Sequence, residues 1–477
     1  MDTPWHYLQP TQEVAFHSIA TEMLYGGAAG GGKSHLMRVA AIAWALSIPG
    51  IQIYLFRRNL TDLVKNHMEG PTSFPVMLAE FVDSGRCTIV DASKSATISF
   101  GNGSKIFCCH CQHEKDMYKY QGPEIHLLLM DELTHFTEKI YRFLRGRVRL
   151  GGLKVPTEYK HLFPQIICGS NPGGIGHNWV KQTFVTNAPE YHIKRMGRPE
   201  GGMLRQYIPA KLADNPKLLE NDPEYEARLD GLGDPALVKA MKEGDWDIVA
   251  GGAIDDVWKK AIHMIKPFTI PANWRVDRSF DWGSSAPFSV GWWAESNGED
   301  VLLPDGKSLF FQKGSLIRID EWYGWNGQAN QGNKMLAKDI AKGILEREKT
   351  IIAKHDFYKI VPGPADSSIY DTENGVCIAK DMKKIGVKWV KANKSKGSRI
   401  NGLELIRSML KAATERPMEH AGLFAFNHCT HFSRTMPVLP RDDRNRDDVD
   451  SNSEDHLYDD VRYRVLETKR KTIVTEV

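Results

Sequence analysis

The segment Gly27-Ala28-Ala29-Gly30-Gly31-Gly32-Lys33-Ser34 limits what this chain can become more than any other stretch. It satisfies G-x-x-x-x-G-K-S without a mismatch. Its glycines let the backbone wrap closely around phosphate groups with N–H groups turned inward. Lys33 supplies a cation for the outer phosphates, and the Ser34 hydroxyl is the kind of ligand Mg2+ takes there. The surroundings agree with this reading. Met23-Leu24-Tyr25 reads as a short strand entering the loop. Ser34 opens a helical pattern, His35 to Ser47, whose N-terminus favours anions. All the loop residues from Gly27 to Ser34 are expected to hold a nucleotide.

A second element supports the loop. Leu127-Leu128-Leu129-Met130-Asp131-Glu132 is an apolar strand ending in two carboxylates. Asp131 is expected to hold Mg2+ through water, and Glu132 to polarise the attacking water. Together with the loop they make a site that hydrolyses a nucleoside triphosphate, expected to be ATP with Mg2+. Gln12, in Pro10-Thr11-Gln12 ahead of the first strand, is placed to read the adenine edge, with Trp5 or Tyr7 packing nearby. Arg57-Arg58 follow a strand end and are open to nucleotide or DNA. Arg142, Arg145, Arg147 and Arg149 cluster after the carboxylate pair. One of them is a candidate arginine finger, given within the subunit or by a neighbour; a solvated basic face is the other reading. Ser170-Asn171-Pro172 follows the strand Gln165 to Cys168, where Asn171 would sense the γ-phosphate.

Between the strands lie helical patterns, and the strands are continuous apolar runs: Ile51 to Phe56, Lys105 to Cys109, His126 to Met130 and Gln165 to Cys168. Runs of this kind suit a parallel α/β sheet buried on both faces. The length of 477 residues suggests two to three domains. Hydrophobic residues at 42% and charged residues at 25% exclude a disordered or collagen-like chain. Lys plus Arg total 62 against 59 for Asp plus Glu, so bulk charge announces no nucleic-acid binder. No signal peptide is expected from Met1-Asp2-Thr3-Pro4-Trp5-His6, and the seven Cys are expected as reduced thiols. The longest apolar candidate, Leu36 to Ile48, contains Arg38 and is too short for a membrane span. Cys108-Cys109-His110-Cys111-Gln112-His113 is rejected as a zinc site. Its ligands crowd one another, and strand alternation aims them at opposite faces.

A joint is expected near 245–270, around Asp245-Trp246-Asp247, Gly251-Gly252, Pro267 and Pro271. The domains are read as 1–250 and 271–477, with 251–270 as linker. Beyond it, Arg275 to Asp281 and Phe288 to Ala294 read as paired strands, Ser308 to Trp322 as further strand, and Tyr358 to Val361 as a short one. Lys334 to Lys349 and Asp455 to Arg470 read as helices. The charged stretch Arg441 to Glu454 reads as a mobile loop, with a solvated connection as the plainer reading. Asp281 closes a strand, Asp366 lies just past another, and Asp455, His456 and Asp459 share a helix face. Such acids suit two divalent ions, Mg2+ or Mn2+, for phosphodiester cleavage. Lys383, Lys384, Lys388, Lys391, Lys394, Lys396 and Arg399 either track a phosphate backbone or form a solvated surface.

With both halves read, the chain resembles the large terminase subunit of tailed double-stranded DNA bacteriophages. The resemblance is carried by Gly27 to Ser34, Asp131-Glu132, Ser170-Asn171-Pro172, Gly244-Asp245-Trp246, Phe280-Asp281-Trp282-Gly283, Asp366 and Asp459-Asp460-Val461-Arg462-Tyr463. It implies an α/β protein with an N-terminal P-loop NTPase, a parallel sheet flanked by helices. A C-terminal ribonuclease H-like α/β nuclease domain is implied to follow. It implies an ATP-driven packaging motor that translocates double-stranded viral DNA into a procapsid. The implied nuclease cuts concatemeric DNA at initiation and termination. The implied partners are the portal protein, a small terminase subunit and further copies of the chain in a ring, expected to be a pentamer, with no membrane. The implied place is the host bacterial cytoplasm, transiently at the portal and outside the mature virion. The implied metal positions are Asp281, Asp366 and Asp459 with His456 accessory, while Asp455, Asp459 and Asp460 compete for the third place. Arg147 is favoured as the finger. The alternatives are a P-loop DNA helicase or repair translocase with an accessory domain, and a nucleotide-gated DNA-binding scaffold whose second domain is inactive.

Overall fold

A computed structural model describes residues 7–92, 95–232, 235–246, 252–303, 306–327, 330–355, 357, 359–372, 377–442, 445–451 and 453–474. Trp5, Asp247, Gly251 and Tyr358 lie outside the described residues. The chain divides into two compact units, Met1–Ala250 and Gly251–Val477.

In the first unit the apolar runs become strands. In chain order these are β1 (Glu22–Gly27), β2 (Gln52–Arg57), β3 (Cys87–Ala92), β4 (Ser95–Phe100), β5 (Lys105–His110), β6 (Leu127–Asp131), β7 (Gln165–Ser170), β8 (Lys194–Arg195) and β9 (Leu204–Ala210). They form one nine-stranded sheet in the order β3-β4-β5-β2-β6-β7-β1-β9-β8. The central strands from β5 to β9 pair in parallel, and antiparallel pairs close both edges. Every residue of β1, β6 and β7 is buried, as strands covered on both faces require. The helix Lys33–Ser47 covers one face, with Leu36, Met37, Ala40, Ala41 and Trp44 in the core. Parallel pairing puts the C-terminal ends of β1, β6 and β7 on one edge, where ligands bind in open α/β sheets.

The second unit has β10 (Met264–Ile265), β11 (Arg275–Asp281), β12 (Ser289–Glu295), β13 (Glu299–Leu302), β14 (Ser308–Phe311), β15 (Leu316–Tyr323), β16 (Pro364–Ala365), β17 (Val390–Lys391) and β18 (Leu423–Phe426). Seven of them form a sheet in the order β10-β18-β15-β12-β11-β16-β17, and β13-β14 is a separate hairpin. β11, β12 and β15 are an antiparallel meander, to which β16 and β18 add in parallel on opposite sides. This is the ribonuclease H-like arrangement expected of this half. Trp292, Trp293, Phe280, Val290 and Ile317 fill its core.

Three readings change. The stretch expected as a linker is packed: Ala253, Ile254, Phe268 and Ile270 belong to the second core. Ser308 to Trp322 is two strands, broken at Gly314, whose φ of 84° is the left-handed turn conformation that glycine accepts. The charged loop is anchored. Val449 is buried, Arg441 pairs with it across a bridge, and Arg441 Nε donates to Gly252 O at 3.2 Å. Charge alone did not reveal the Gly252 contact, because Gly252 lies 189 residues away. Among the described residues, no helix is long and apolar enough to cross a membrane.

Candidate functional site

The first unit assembles its candidate site on the C-terminal edge of the parallel strands. The loop after β1 leads into the helix through Gly32, whose φ of 74° lies in the left-handed region. Asp131 ends β6 two strands away, with β7 between. Gly169 of β7 makes the approach possible: a Cβ there would lie 2.8 Å from Met37 Cε and 3.3 Å from Lys33 Cβ. Ser34 Oγ accordingly donates to Asp131 Oδ2 at 3.1 Å and Oδ1 at 3.3 Å. Lys33 is buried and its Nζ donates to Ala28 O at 2.6 Å. Burial depresses Lys33, against the pull of Glu132 and Asp131. Glu132 adopts φ 56° and ψ 58°, a conformation side chains rarely accept, which turns its carboxylate off the strand.

The remaining expected residues fall around this centre in different ways. Gln12 is buried and tied at both ends: Nε2 donates to Gly32 O at 2.8 Å, and Oε1 accepts from Gln9 N at 2.8 Å. It links the first helix, Pro10–Phe16, to the phosphate loop. Asn171 follows β7, and its Oδ1 is buried without a hydrogen-bond partner. Its backbone carbonyl accepts from Thr134 Oγ1 at 3.1 Å, and Ser170 Oγ accepts from Thr134 N at 3.0 Å, so the two strand ends are joined. Among the four clustered arginines, Arg142 pairs with Glu138, Arg145 with Glu22 and Arg149 with Glu124. Arg147 has no carboxylate partner among the described residues; it donates to Gln121 O at 3.1 Å and lies over Phe143. Cys108, Cys109 and Cys111 are buried and in no disulfide, and burial pushes Cys109 and Cys111 up to about 12.

Several contacts had no sequence signal. Arg57 Nε donates to Asp131 Oδ2 at 2.7 Å, and His67 Nε2 meets the same oxygen at 2.9 Å. Met241 O accepts from Ala29 N at 2.8 Å, and Asn215 Nδ2 donates to Gly30 O at 2.6 Å, so Asn215 and Met241 both hold the loop.

In the second unit, Phe280 pairs with Ala365 in parallel register, so Asp281 and Asp366 emerge side by side at one sheet edge. The helix His456–Val474 packs on β11 and brings its first turn to the same edge. His456 Nδ1 lies 3.3 Å from Asp281 Oδ2, and Tyr463 OH donates to Asp281 Oδ1 at 3.2 Å. His456 Nε2 meets Asn330 Oδ1 at 2.9 Å. Lys394 Nζ donates to Asp366 Oδ1 at 2.6 Å. Arg399 reaches Asp448, Asp455 and Asp459, and Arg462 also pairs with Asp459.

Burial pushes Asp281 up to about 7; the His456 contact opposes this, while Asp459 and Asp366 add to it. Burial and Asp459 raise Asp455 to about 6. His456 is raised to about 9 against its burial by Asp281, Asp455 and Asp459. Asp460 is a different case. It is fully buried, accepts from Arg318 Nη1 at 2.7 Å and from Ser279 Oγ at 2.7 Å, and is bonded to Ser289. That leaves Asp459 in the first turn of the helix, and Asp455 just before it, beside the acids. Among the described residues, no group of three or more His, Cys, Asp or Glu is arranged to hold a metal ion as it stands. The donors are drawn instead onto Lys394, Arg399 and Arg462. By chemistry, mutually repelling carboxylates fit a hard divalent cation.

Residues 24–157 match the family model described as terminase large subunit, T4likevirus-type, N-terminal. No curated protein sequence matches the chain. Among solved structures, the large terminase of a thermophilic bacteriophage in complex with ADP is similar at 14% identity. That comparison covers 96% of this chain and 98% of that one, with a TM-score of 0.39. The HK97 bacteriophage large terminase is similar at 12% identity, covering 96% and 95%, with a TM-score of 0.42. The P22 large terminase nuclease domain is similar at 14% identity, covering 46% of this chain and 95% of its own, with a TM-score of 0.32. The fold is read from the strand orders and not from these likenesses.

Proposed function

We propose that this chain is the large subunit of a phage terminase, an ATP-driven motor for double-stranded DNA with a nuclease in its second unit. One observation carries the reading. A single chain sets Lys33, Ser34, Asp131 and Glu132 at one sheet edge, and Asp281, Asp366 and Asp459 at the edge of a second sheet of ribonuclease H-like order. The family match over residues 24–157 supports it.

In the first unit, the loop amides and Lys33 bind the phosphates of ATP. Ser34 and Asp131 would hold its Mg2+, which neutralises charge developing on the transferred phosphoryl group. Glu132, turned off the strand, orients the attacking water and takes its proton. Asn171 reads the outer phosphate and passes its loss through Ser170 to Thr134. Arg147, without a carboxylate partner, is left to serve a neighbouring copy. In the second unit, Asp281, Asp366 and Asp459 would hold Mg2+ or Mn2+, which activates water and stabilises the leaving oxygen. His456 orients Asp281. Lys391 and Lys396 meet the DNA backbone.

The function places the chain in the bacterial host cytoplasm, docked in a ring on the portal and assisted by a small terminase subunit. Purified procapsids, linear double-stranded DNA and ATP test it: DNA becomes resistant to added nuclease with the intact chain and not with Lys33→Ala. Strand displacement without packaging would move the reading to a helicase. ATP-dependent DNA binding with neither packaging nor cleavage would move it to a scaffold.

A further inference from the structure

Asp131 is held by Arg57, noticed in the sequence only as open to nucleotide or DNA, and by His67, which no motif brings to notice. Arg57, the last residue of β2, donates to Asp131 Oδ2 at 2.7 Å, and its Nη2 lies 3.7 Å from Glu132 Oε1. His67, from the π-helical turn Val64–Met68, meets the same Asp131 oxygen at 2.9 Å. His67 is braced in turn. Arg38 of the phosphate-loop helix lies 3.4 Å from its Nδ1 and donates to Asn66 O at 2.9 Å and Thr72 Oγ1 at 3.1 Å. Arg38, His67 and Asp131 are all buried.

A buried carboxylate needs compensation, and here a guanidinium and an imidazole share one of its oxygens. Asp131 is also the residue that would hold the divalent cation of a bound nucleotide. Cation and side chains would then draw on the same carboxylate. The two side chains are unequal in that competition. The His67 side chain is 0% exposed and locked by Arg38, whereas that of Arg57 is 12% exposed and already touches Glu132. Arg57 is the one able to leave Asp131 and keep a partner.

We propose that Arg57 is a positioning residue of the hydrolytic site, bridging Asp131 and Glu132 as long as no nucleotide is bound. On loading it yields Asp131 to the nucleotide's divalent cation and retains Glu132. This rests on the nucleotide-hydrolysing reading above. It makes Arg57 the link between cation arrival and the direction in which Glu132 points, with His67 as the fixed support.

The test is a titration of the full chain with a fluorescent ATP analogue, once with Mg2+ and once with EDTA. Arg57→Ala leaves Asp131 undercompensated when no cation is present and removes the cation's competitor when one is. The ratio of the EDTA to the Mg2+ dissociation constant should rise about tenfold or more. Arg57→Lys, which keeps the charge, should stay within about threefold of the unsubstituted chain. In ATP turnover, Arg57→Ala should lower kcat without raising KM for the Mg2+ complex. Should Arg57→Ala not fold, Arg57→Gln removes the charge while keeping a hydrogen-bond donor and should move the ratio the same way. An unmoved ratio in the folded variants overturns the role of Arg57 while leaving ATP binding intact. An unsubstituted chain that binds no analogue overturns this proposal and the hydrolytic reading together, and Lys33→Ala as a non-binding control separates the two results.

Discussion

Asp131 and Asp281 occupy corresponding places, each ending a central strand and each buried, yet they stand in opposite electrostatic conditions. Burial pushes both upward. Around Asp131, His67 and Arg57 overcome that push and hold the carboxyl below its usual range. Around Asp281, the His456 contact is outweighed by burial together with Asp459 and Asp366, leaving it at about 7. The first unit keeps Arg57 and His67 directly on its strand-end carboxylate. The second disperses its cations onto Asp366 and Asp459 and leaves its central acid short of positive charge. A metal arriving at the first would displace a cation from the central carboxylate itself, whereas one arriving at the second would displace Lys394, Arg399 and Arg462 from the flanking ones.

The strongest way to break this comparison is to silence one site and watch the other. Glu132→Gln should lower ATP turnover by at least about a thousandfold while metal-dependent cleavage of plasmid DNA continues. Asp281→Asn should do the reverse, lowering cleavage by about a hundredfold or more with ATP turnover unchanged. Loss of both activities in either variant would mean the two carboxylates do not serve separate chemistries.

Arg147→Ala sharpens the first half of the comparison. ATP turnover at concentrations that favour assembly should fall by about a thousandfold, the value of a finger given in trans, with nucleotide affinity unchanged. Equal turnover in the variant would return Arg147 to a solvated surface.

A stability effect follows in size. Asp460→Ala takes from the fully buried Arg318 its closer carboxylate, leaving Glu321 at 3.2 Å, and should destabilise the second unit by about 3 kcal/mol, read as an earlier urea midpoint. A midpoint shift of less than about 1 kcal/mol would show that Asp460 is not the anchor its contacts describe. The smallest effect is expected from the exposed Lys396. Lys396→Ala should weaken DNA binding evenly across sequences and reduce the salt slope by about one. An unchanged slope would remove it from the phosphate track.

The sequence made the reacting atoms legible and their supports illegible. Gly27 to Ser34 and Asp131-Glu132 announce themselves because phosphate binding demands a fixed local order of residues. Asp281, Asp366 and Asp459 were found through strand ends and helix spacing, which are also local. Arg57 and His67 lie 74 and 64 residues from Asp131, and only the strand order β2-β6 brings them to it. The same holds for Asn215 on Gly30, and for Lys394 on Asp366. The packed stretch 252–270 was hidden by its prolines and glycines, which look like a hinge until their apolar neighbours Ala253, Ile254, Phe268 and Ile270 find a core. Asp455, Asp459 and Asp460 could not be ranked by spacing alone; burial against Arg318 separates the last from the others.

That separation has a mechanical meaning. Asp459 and Asp460 are neighbours on one helix, so they point about 100° apart. Asp460 is keyed into Arg318, Ser279 and Ser289, and Arg464, one turn on, is keyed into Asp277 and Glu295. The helix is thus indexed like a shaft with two pins, and the azimuth of Asp459 is not adjustable by small loop changes upstream. Inserting one residue ahead of Asp459 leaves the pins seated and moves only the approach. Inserting one between Asp459 and Asp460 carries the acid around the shaft while everything behind it stays in place. Position and presence of the acid become separately controllable, an engineering handle on the candidate site of the second unit.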